Sequence, residues 1–93
     1  MEFYHGVLPR QEVLELIKKE GDFLVRTTFN KSNKEDFIIS VMKNGIVRHF
    51  PIVEKTPQRY CLESVIFRSI SSLIKYYKSQ RVPLTHKSGA IIV

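Results

Sequence analysis

The chain has 93 residues, 43% hydrophobic and 26% charged, so we expect one globular domain covering residues 1–93. No apolar run is long enough for a membrane span, and the N-terminus does not resemble a signal peptide. Lys and Arg number 15 against 9 acidic residues, and the net charge of +6 favours an anionic partner: nucleic acid, membrane or phosphoprotein. Cys61 is the only cysteine, which excludes an internal disulfide and indicates a reducing, intracellular setting.

The first predicted helix covers about residues 9–20 and follows an aromatic entry at residues 3–6. Pro9 suits the first helical position, because its fixed φ and missing N–H cost nothing there. Arg10, Leu14 and Ile17 recur at the helical spacing i, i+4, i+7, so Arg10 lies above the buried stripe. Arginine in a first turn is usually solvated, but it opposes the helix dipole, which slightly favours a functional reason for it.

The next predicted strand carries a charge inside an apolar run. Alternation puts Arg26 and Thr28 on one face with Leu24, whereas Phe23 and Val25 point the other way. An arginine is almost never fully buried unless it is paired. Two interpretations follow from the residues: Arg26 binds an anionic ligand, or it forms a structural salt bridge with an acid elsewhere in the chain.

The rest of the chain predicts a small α+β fold. A polar loop at 29–36 leads to a strand at 37–42, and Asn44-Gly45 predicts a type I′ turn into a strand at 46–53. Pro51 cannot donate to a ladder, so that strand is interrupted or at an edge there. A short strand and a second helix, capped by Ser69, follow at 59–62 and 70–78. We therefore expect a central antiparallel sheet flanked by two helices.

No catalytic constellation is visible, so we expect a non-enzymatic domain without cofactor or metal. A cysteine phosphatase needs an arginine six residues after its nucleophile, and the residue six places after Cys61 is Phe67. The three histidines, at positions 5, 49 and 86, lack partners at metal-ligand spacing. There is no glycine-rich nucleotide loop, and the nucleic-acid interpretation has the charge in its favour but lacks a stacking motif.

Several motifs occur in a specific order along nearly the whole chain: His5-Gly6, Pro9-Arg10, Gly21-Asp22-Phe23-Leu24-Val25-Arg26, Arg48-His49-Phe50 and Phe67-Arg68-Ser69-Ile70 with Leu73-Ile74. In this order they resemble a Src homology 2 (SH2) domain. The segments at 83–85 and 87–89 are most similar to the Fes/Fer group of non-receptor tyrosine kinases.

The resemblance implies a phosphotyrosine-binding module. Arg26 would grip the phosphate with two hydrogen bonds, and Arg10 would lie against both the phosphate and the tyrosine ring. Thr28 and the 29–36 loop, Ser32 included, would add donors. His49 would line the wall of the pocket, although a histidine hydrogen-bonded inside the sheet is about as plausible on the residues alone.

The resemblance also implies a second surface that sets peptide specificity. Phe50 and Ile52, on the other face of their strand, would hold residues after the phosphotyrosine, and Tyr76 would border the groove. Pro51 departs from the family pattern, because many members carry a lysine there against the tyrosine ring. Arg10 would then be the cation that contacts the tyrosine ring.

Three function classes stay open: a phosphotyrosine reader, a basic binder of nucleic acid or anionic lipid, and an intramolecular scaffold with an idle pocket. We favour the first. The expected partners are tyrosine-phosphorylated peptides or proteins and, as a further candidate, its own kinase domain, with no nucleic acid and no membrane span. Residues 91–93 end the sequence on an apolar run, so we expect a domain excised from a longer chain. The resemblance implies that the longer chain is a non-receptor tyrosine kinase, and we expect the domain to be a cytoplasmic monomer.

Overall fold

The structure, a computed structural model, describes residues 3–63 and 65–93. A six-stranded sheet has the strand order β1-β2-β3-β4-β5-β6, and a helix lies on each side of it. The elements in chain order are β1 (Tyr4–Val7), α1 (Arg10–Leu16), β2 (Phe23–Phe29), β3 (Glu35–Lys43), β4 (Ile46–Thr56), β5 (Arg59–Leu62), β6 (Val65–Phe67) and α2 (Ile70–Gln80). The predicted fold class is confirmed.

Strand β1 makes the sheet mixed, because it pairs parallel with β2, whereas we expected antiparallel strands throughout. The sequence predicted only an aromatic entry at this place. Three of the four β1 residues are exposed, and Gly6 has a left-handed φ of 64°, so no alternating pattern marks the strand. Strand β6 was also missed, because it has only 3 residues and two of them are exposed.

Helix α1 is shorter than the predicted 9–20. The chain leaves the helix at Ile17, whose backbone is extended with φ −107° and ψ 116°. The Asp22 carboxylate explains the early end. One of its oxygens accepts hydrogen bonds from the backbone N–H of Lys18 at 3.1 Å and of Lys19 at 2.9 Å. These bonds lower the pKa of Asp22 and offer the two amides a partner outside the helix.

Helix α2 begins as predicted and ends two residues later than the predicted 78. The Ser69 hydroxyl caps its start by accepting from the backbone N–H of Ser72 at 3.0 Å. Arg81 ends the helix in the left-handed conformation.

The core lies on both faces of the sheet. On the α1 face, Leu24 packs with Val13 and Ile17 of the first helix. On the α2 face, Val25 belongs to a larger cluster that includes Leu73. Strand β2 therefore divides its side chains between the two faces as predicted, and Arg26 points toward the α1 face beside Leu24.

Strand β4 changes partner along its length. Its residues 46–52 pair with β3, and residues 53–56 pair with β5. Among the described residues, the outer edge of 46–52 has no strand partner, which suits Pro51 as predicted. The β3–β4 turn has φ values of 54° at Asn44 and 77° at Gly45, as the predicted type I′ turn requires.

Phe3 and Val93 make backbone hydrogen bonds to the same stretch, residues 21–25. The Phe3 carbonyl accepts from the N–H of Val25 at 2.8 Å, and the N–H of Val93 donates to the Gly21 carbonyl at 3.1 Å. Gly21 has a φ of 85°, and a Cβ placed there would lie 2.6 Å from a Val93 methyl group, so a larger residue would strain the backbone and displace the Val93 side chain. In the described part of the chain, no helix is long and apolar enough to cross a membrane.

Candidate functional site

Arg26 sits in the middle of β2 with only 5% of its surface exposed. Its Nε donates to the Ser40 hydroxyl at 3.1 Å, and one terminal nitrogen donates to the Leu8 carbonyl at 3.3 Å. Its other terminal nitrogen lies 3.3 Å from Nδ1 of His49. Three elements of the chain therefore hold the guanidinium in one orientation: the segment before α1, β3 and β4.

No carboxylate among the described residues forms an ion pair with Arg26. The salt bridge that the described residues do contain joins Lys43 to Glu20, with a nitrogen–oxygen distance of 4.0 Å. Burial lowers the pKa of Arg26, and the positive charge of Arg10 lowers it further. A buried cation without an acid is unfavourable until an anion reaches it. The geometry therefore does not support the structural salt bridge that the sequence left open.

The three hydrogen bonds use three of the five N–H groups that a guanidinium carries. Within the described residues, one N–H on each terminal nitrogen is left without a partner. Two parallel donors of this kind match the spacing of two phosphate or carboxylate oxygens. Arg26 is thus arranged for a two-pronged contact with an anion.

His49 lies in the wall beside Arg26, and its protonation follows from its neighbours. Arginine can only donate, so Nδ1 of His49 is an acceptor and the ring proton lies on Nε2. The Ser40 hydroxyl, 2.7 Å from the same nitrogen, supports this tautomer by donating its hydrogen. Burial, and then the charges of Arg10 and Arg26, lower the pKa of His49 to about 4, so the free domain holds a neutral ring at pH 7.

Arg10 is the exposed first residue of α1. Its charge acts on both Arg26 and His49, which places it beside the same pocket. Arg10 and His49 also line a groove of about 540 Å³ that continues past Leu14 and Ile46. The two arginines and the histidine that the sequence singled out therefore lie together.

The loop residues are placed differently. Thr28 is partly buried on β2, and Ser32 is exposed in the turn between β2 and β3. Within the described residues, no hydrogen bond joins either hydroxyl to Arg26. The Asn30 side-chain oxygen accepts from the N–H of Ser32 at 2.9 Å and of Lys34 at 3.1 Å, so this loop closes on itself. Its amides would have to leave Asn30 before they could bind an anion.

The second surface lies on the α2 face of β4. Phe50, half-buried, lines a groove of about 450 Å³ with two cations and two hydroxyl residues: Arg48, Lys87, Thr85 and Ser88. The hydroxyl of Thr85 donates to that of Ser88 at 2.6 Å, and the N–H of Leu84 donates to the carbonyl of Ala90 at 2.8 Å. The wall that carries Lys87 is therefore held by its own hydrogen bonds.

The other two predicted specificity residues have different environments. Ile52 is only 5% exposed and packs in the core, so it supports Phe50 from below and offers little surface to a peptide. Tyr76 is 41% exposed and borders a smaller groove of about 240 Å³ beside Val65 and Pro83. Tyr76 is thus available to a ligand, whereas Ile52 is not.

Sequence patterns did not identify Ser40 and the Leu8 carbonyl as partners of Arg26. Ser40 is fully buried on β3, where it pairs with His49 in register. The signal was a serine inside an apolar strand, since a buried hydroxyl needs a partner. Among the described residues, no group of three or more His, Cys, Asp or Glu side chains could hold a metal ion.

The SH2 domain family profile matches residues 3–77. The chain is 40% identical over 90 residues to the tyrosine-protein kinase transforming protein Fps of avian sarcoma virus (strain PRCII), with 97% of the chain matched. It is 37% identical over 92 residues, 99% of the chain, to the human tyrosine-protein kinase Fer. The chain spans only 16% and 11% of the length of these two relatives.

A relative that is not called a kinase also matches. The breast cancer anti-estrogen resistance protein 3 homolog of Xenopus laevis is 34% identical over 98 residues, which covers 97% of the chain and 12% of that protein. Among solved structures, the VAV1 SH2 domain complexed with a tyrosine-phosphorylated peptide from SLP76 has a TM-score of 0.78 at 25% identity. That match covers 97% of this chain and 65% of the other.

Proposed function

The chain belongs to the SH2 domain family, and on that premise we propose that it binds tyrosine-phosphorylated peptides, with Arg26 as the main phosphate ligand. One observation carries the proposal: a buried guanidinium without an acidic partner in the described structure, oriented by protein hydrogen bonds, with two N–H groups left for an anion. A phosphate dianion would supply the missing charge and two acceptor oxygens.

Arg10 and His49 complete the proposed phosphotyrosine site. Arg10 would contact the phosphate and stack its guanidinium on the tyrosine ring, since Pro51 provides no cation on the opposite side. The neutral His49 would present its Nε2–H toward the ligand. Thr28 and Ser32 would contribute donors after the loop amides leave Asn30, so we expect them to matter less than the two arginines.

The groove beside Phe50 would hold the residues that follow the phosphotyrosine. Arg48 and Lys87 favour an acidic residue directly after it, because their charges have no partner among the described salt bridges. Phe50 favours an aliphatic residue at the third place, with Ile52 packed underneath. Tyr76 would contact the ligand from the neighbouring smaller groove. The parent protein would be a non-receptor tyrosine kinase of the cytoplasm, and this domain, as a non-catalytic monomer, would recruit or position it.

The test is a titration by fluorescence polarisation. The probes are a phosphotyrosyl peptide with glutamate directly after the phosphotyrosine and valine at the third place, its unphosphorylated twin, an oligonucleotide, and vesicles containing anionic lipid. Each is titrated at low and at physiological salt, because non-specific charge binding weakens steeply with salt. We expect only the phosphopeptide to bind at physiological salt. Equal binding of both peptides, or tighter binding of the oligonucleotide or vesicles, would contradict the proposal.

A further inference from the structure

The groove between α1 and the start of β4 extends beyond Arg10 and His49, the residues that we assign to the phosphotyrosine site. It has a volume of about 540 Å³ and begins at Arg10 and His49. From there it continues between Leu14 of α1 and Ile46 of β4 toward the β3–β4 turn. Leu14 is 59% exposed and Ile46 is 57% exposed. Two large, exposed aliphatic residues thus line one groove together with Arg10 and His49 of the proposed phosphate site.

A second feature lies along the same groove. The stretch 46–52 of β4 has an outer edge that no strand in the described structure covers. An open edge can pair with an extended peptide, and the side chains of that peptide then reach the pockets beside it. From Ile46 to His49 the strand advances about 10 Å, which is the length of three extended peptide residues.

We propose that this groove binds the residues that precede the phosphotyrosine, with an aliphatic side chain seated between Leu14 and Ile46. The inference rests on the proposed phosphotyrosine binding and adds a subsite to it. The direction of the bound peptide follows from the two faces of β4. Phe50 faces α2 and would contact the residues after the phosphotyrosine, whereas Val47 and His49 face α1. A peptide whose phosphotyrosine lies at Arg10 and His49 therefore has its preceding residues on the α1 side.

The size of the effect follows from the surface covered. Seating one aliphatic side chain between Leu14 and Ile46 removes about 50 Å² of apolar surface from water, which corresponds to roughly an eight-fold gain in affinity. Ordering the upstream residues offsets part of that gain. We therefore expect a gain of about three- to eight-fold for an aliphatic residue over glycine.

The experiment uses phosphopeptides with identical downstream residues in fluorescence polarisation. The first is acetylated directly at the phosphotyrosine, the second has three glycines before it, and three further peptides carry one valine in place of each glycine in turn. We expect one valine position to bind three- to eight-fold tighter than the glycine peptide. The Leu14→Ser variant should lose this gain, as should Ile46→Thr. The Leu16→Ser variant should keep it, because Leu16 is 49% exposed on the same helix but does not line the groove.

The outcomes separate the subsite from the phosphate site. If all five peptides bind equally to the wild-type domain, the subsite is absent and phosphotyrosine binding stands. If none binds, the proposed function fails and the subsite with it. A valine gain that survives Leu14→Ser and Ile46→Thr would place the contact elsewhere and overturn the inference. So would a wild-type dimer in sedimentation that Leu14→Ser dissociates, since the groove would then belong to a second copy.

Discussion

Replacing Arg26 with alanine is the most direct test of the proposed phosphate site. Arg26 is 5% exposed and has no acidic partner among the described residues, so the bound phosphate would be the charge that compensates it. Truncating one partner of a desolvated charge pair costs about 2–5 kcal/mol. This corresponds to a loss of affinity of roughly 30- to 4,000-fold. We expect Arg26→Ala to fall in that range for a phosphotyrosyl peptide.

Arg26→Lys should weaken phosphopeptide binding almost as much as Arg26→Ala, although it keeps the positive charge. The guanidinium uses three N–H groups to hold its position against Ser40, Leu8 and His49. An ammonium has three donors in total and no planar fork, so it cannot keep these contacts and also bind two phosphate oxygens. We expect a loss of at least about 30-fold.

The stability of the free domain should respond in the opposite direction. Arg26→Leu removes a buried charge, and the Ser40–His49 hydrogen bond of 2.7 Å can persist without it. Replacing an unfavourable buried charge with an apolar side chain is often neutral or stabilising. We therefore expect the free energy of unfolding in denaturant to stay equal or rise while phosphopeptide binding is lost.

Fluorescence polarisation and urea denaturation on the same preparations separate the two effects. Arg59→Lys is the matched control, because Arg59 is exposed on β5 and lines no part of the pocket. If Arg26→Lys binds the phosphopeptide within a few-fold of the wild type, Arg26 is not the main phosphate ligand. If Arg26→Leu strongly destabilises the fold, Arg26 is a structural residue.

Three further predictions concern the neighbours of Arg26. Arg10→Ala should weaken phosphopeptide binding about ten-fold with little change in Tm, because stacking on the ring and a phosphate contact are together worth roughly 1–3 kcal/mol. Adding Pro51→Lys should restore part of the lost affinity. Unchanged affinity in Arg10→Ala would show that Arg10 is a solvated residue at the end of the helix. Ser40→Ala should lower affinity about five- to thirty-fold, since it removes the acceptor that orients Nε of Arg26, and unchanged affinity would show that Leu8 and His49 suffice. For His49, the folded pKa of about 4 lies below the ordinary 6.5, so the unfolded chain binds the extra proton between these values and stability should fall as pH drops from 6.5 to 4. Denaturation of His49→Gln should show a smaller decline over this window, and a parallel profile in both proteins would contradict the assignment.

The sequence predicted what depends on local pattern. The alternation of β2, the Asn44-Gly45 turn and the Ser69 cap were all predicted correctly, because each is determined by residues close in the chain. The end of α1 was predicted four residues too late. There the apolar spacing through Ile17 continued to indicate a helix, but the Asp22 side chain captured the next two amides from outside it.

The site was predictable in its charges and not in its hydrogen bonds. Arg26 and Arg10 could be identified from the sequence, because Arg26 is a charge inside an apolar strand and Arg10 is a positive charge in the first turn of a helix. Ser40 lies 14 residues from Arg26, and its role depends on the β2–β3 register, which places β3 between the arginine and His49. Single-sequence patterns do not give that register. The burial of Ile52 was missed for the same reason, since it comes from packing against α2 and not from β4 alone.

The attachment of Phe3 and Val93 to the stretch 21–25, at the start of β2, has a mechanical consequence. Tension applied between Phe3 and Val93 would act directly on the hydrogen bonds to Val25 and Gly21, which lie only four residues apart. Those bonds would carry the load before the pairs among β3, β4 and β5 do. The strand that holds Arg26 would therefore be the first part of the sheet to lose its neighbours under force. In an optical trap, we expect phosphopeptide release to precede the unfolding of the α2 side of the core.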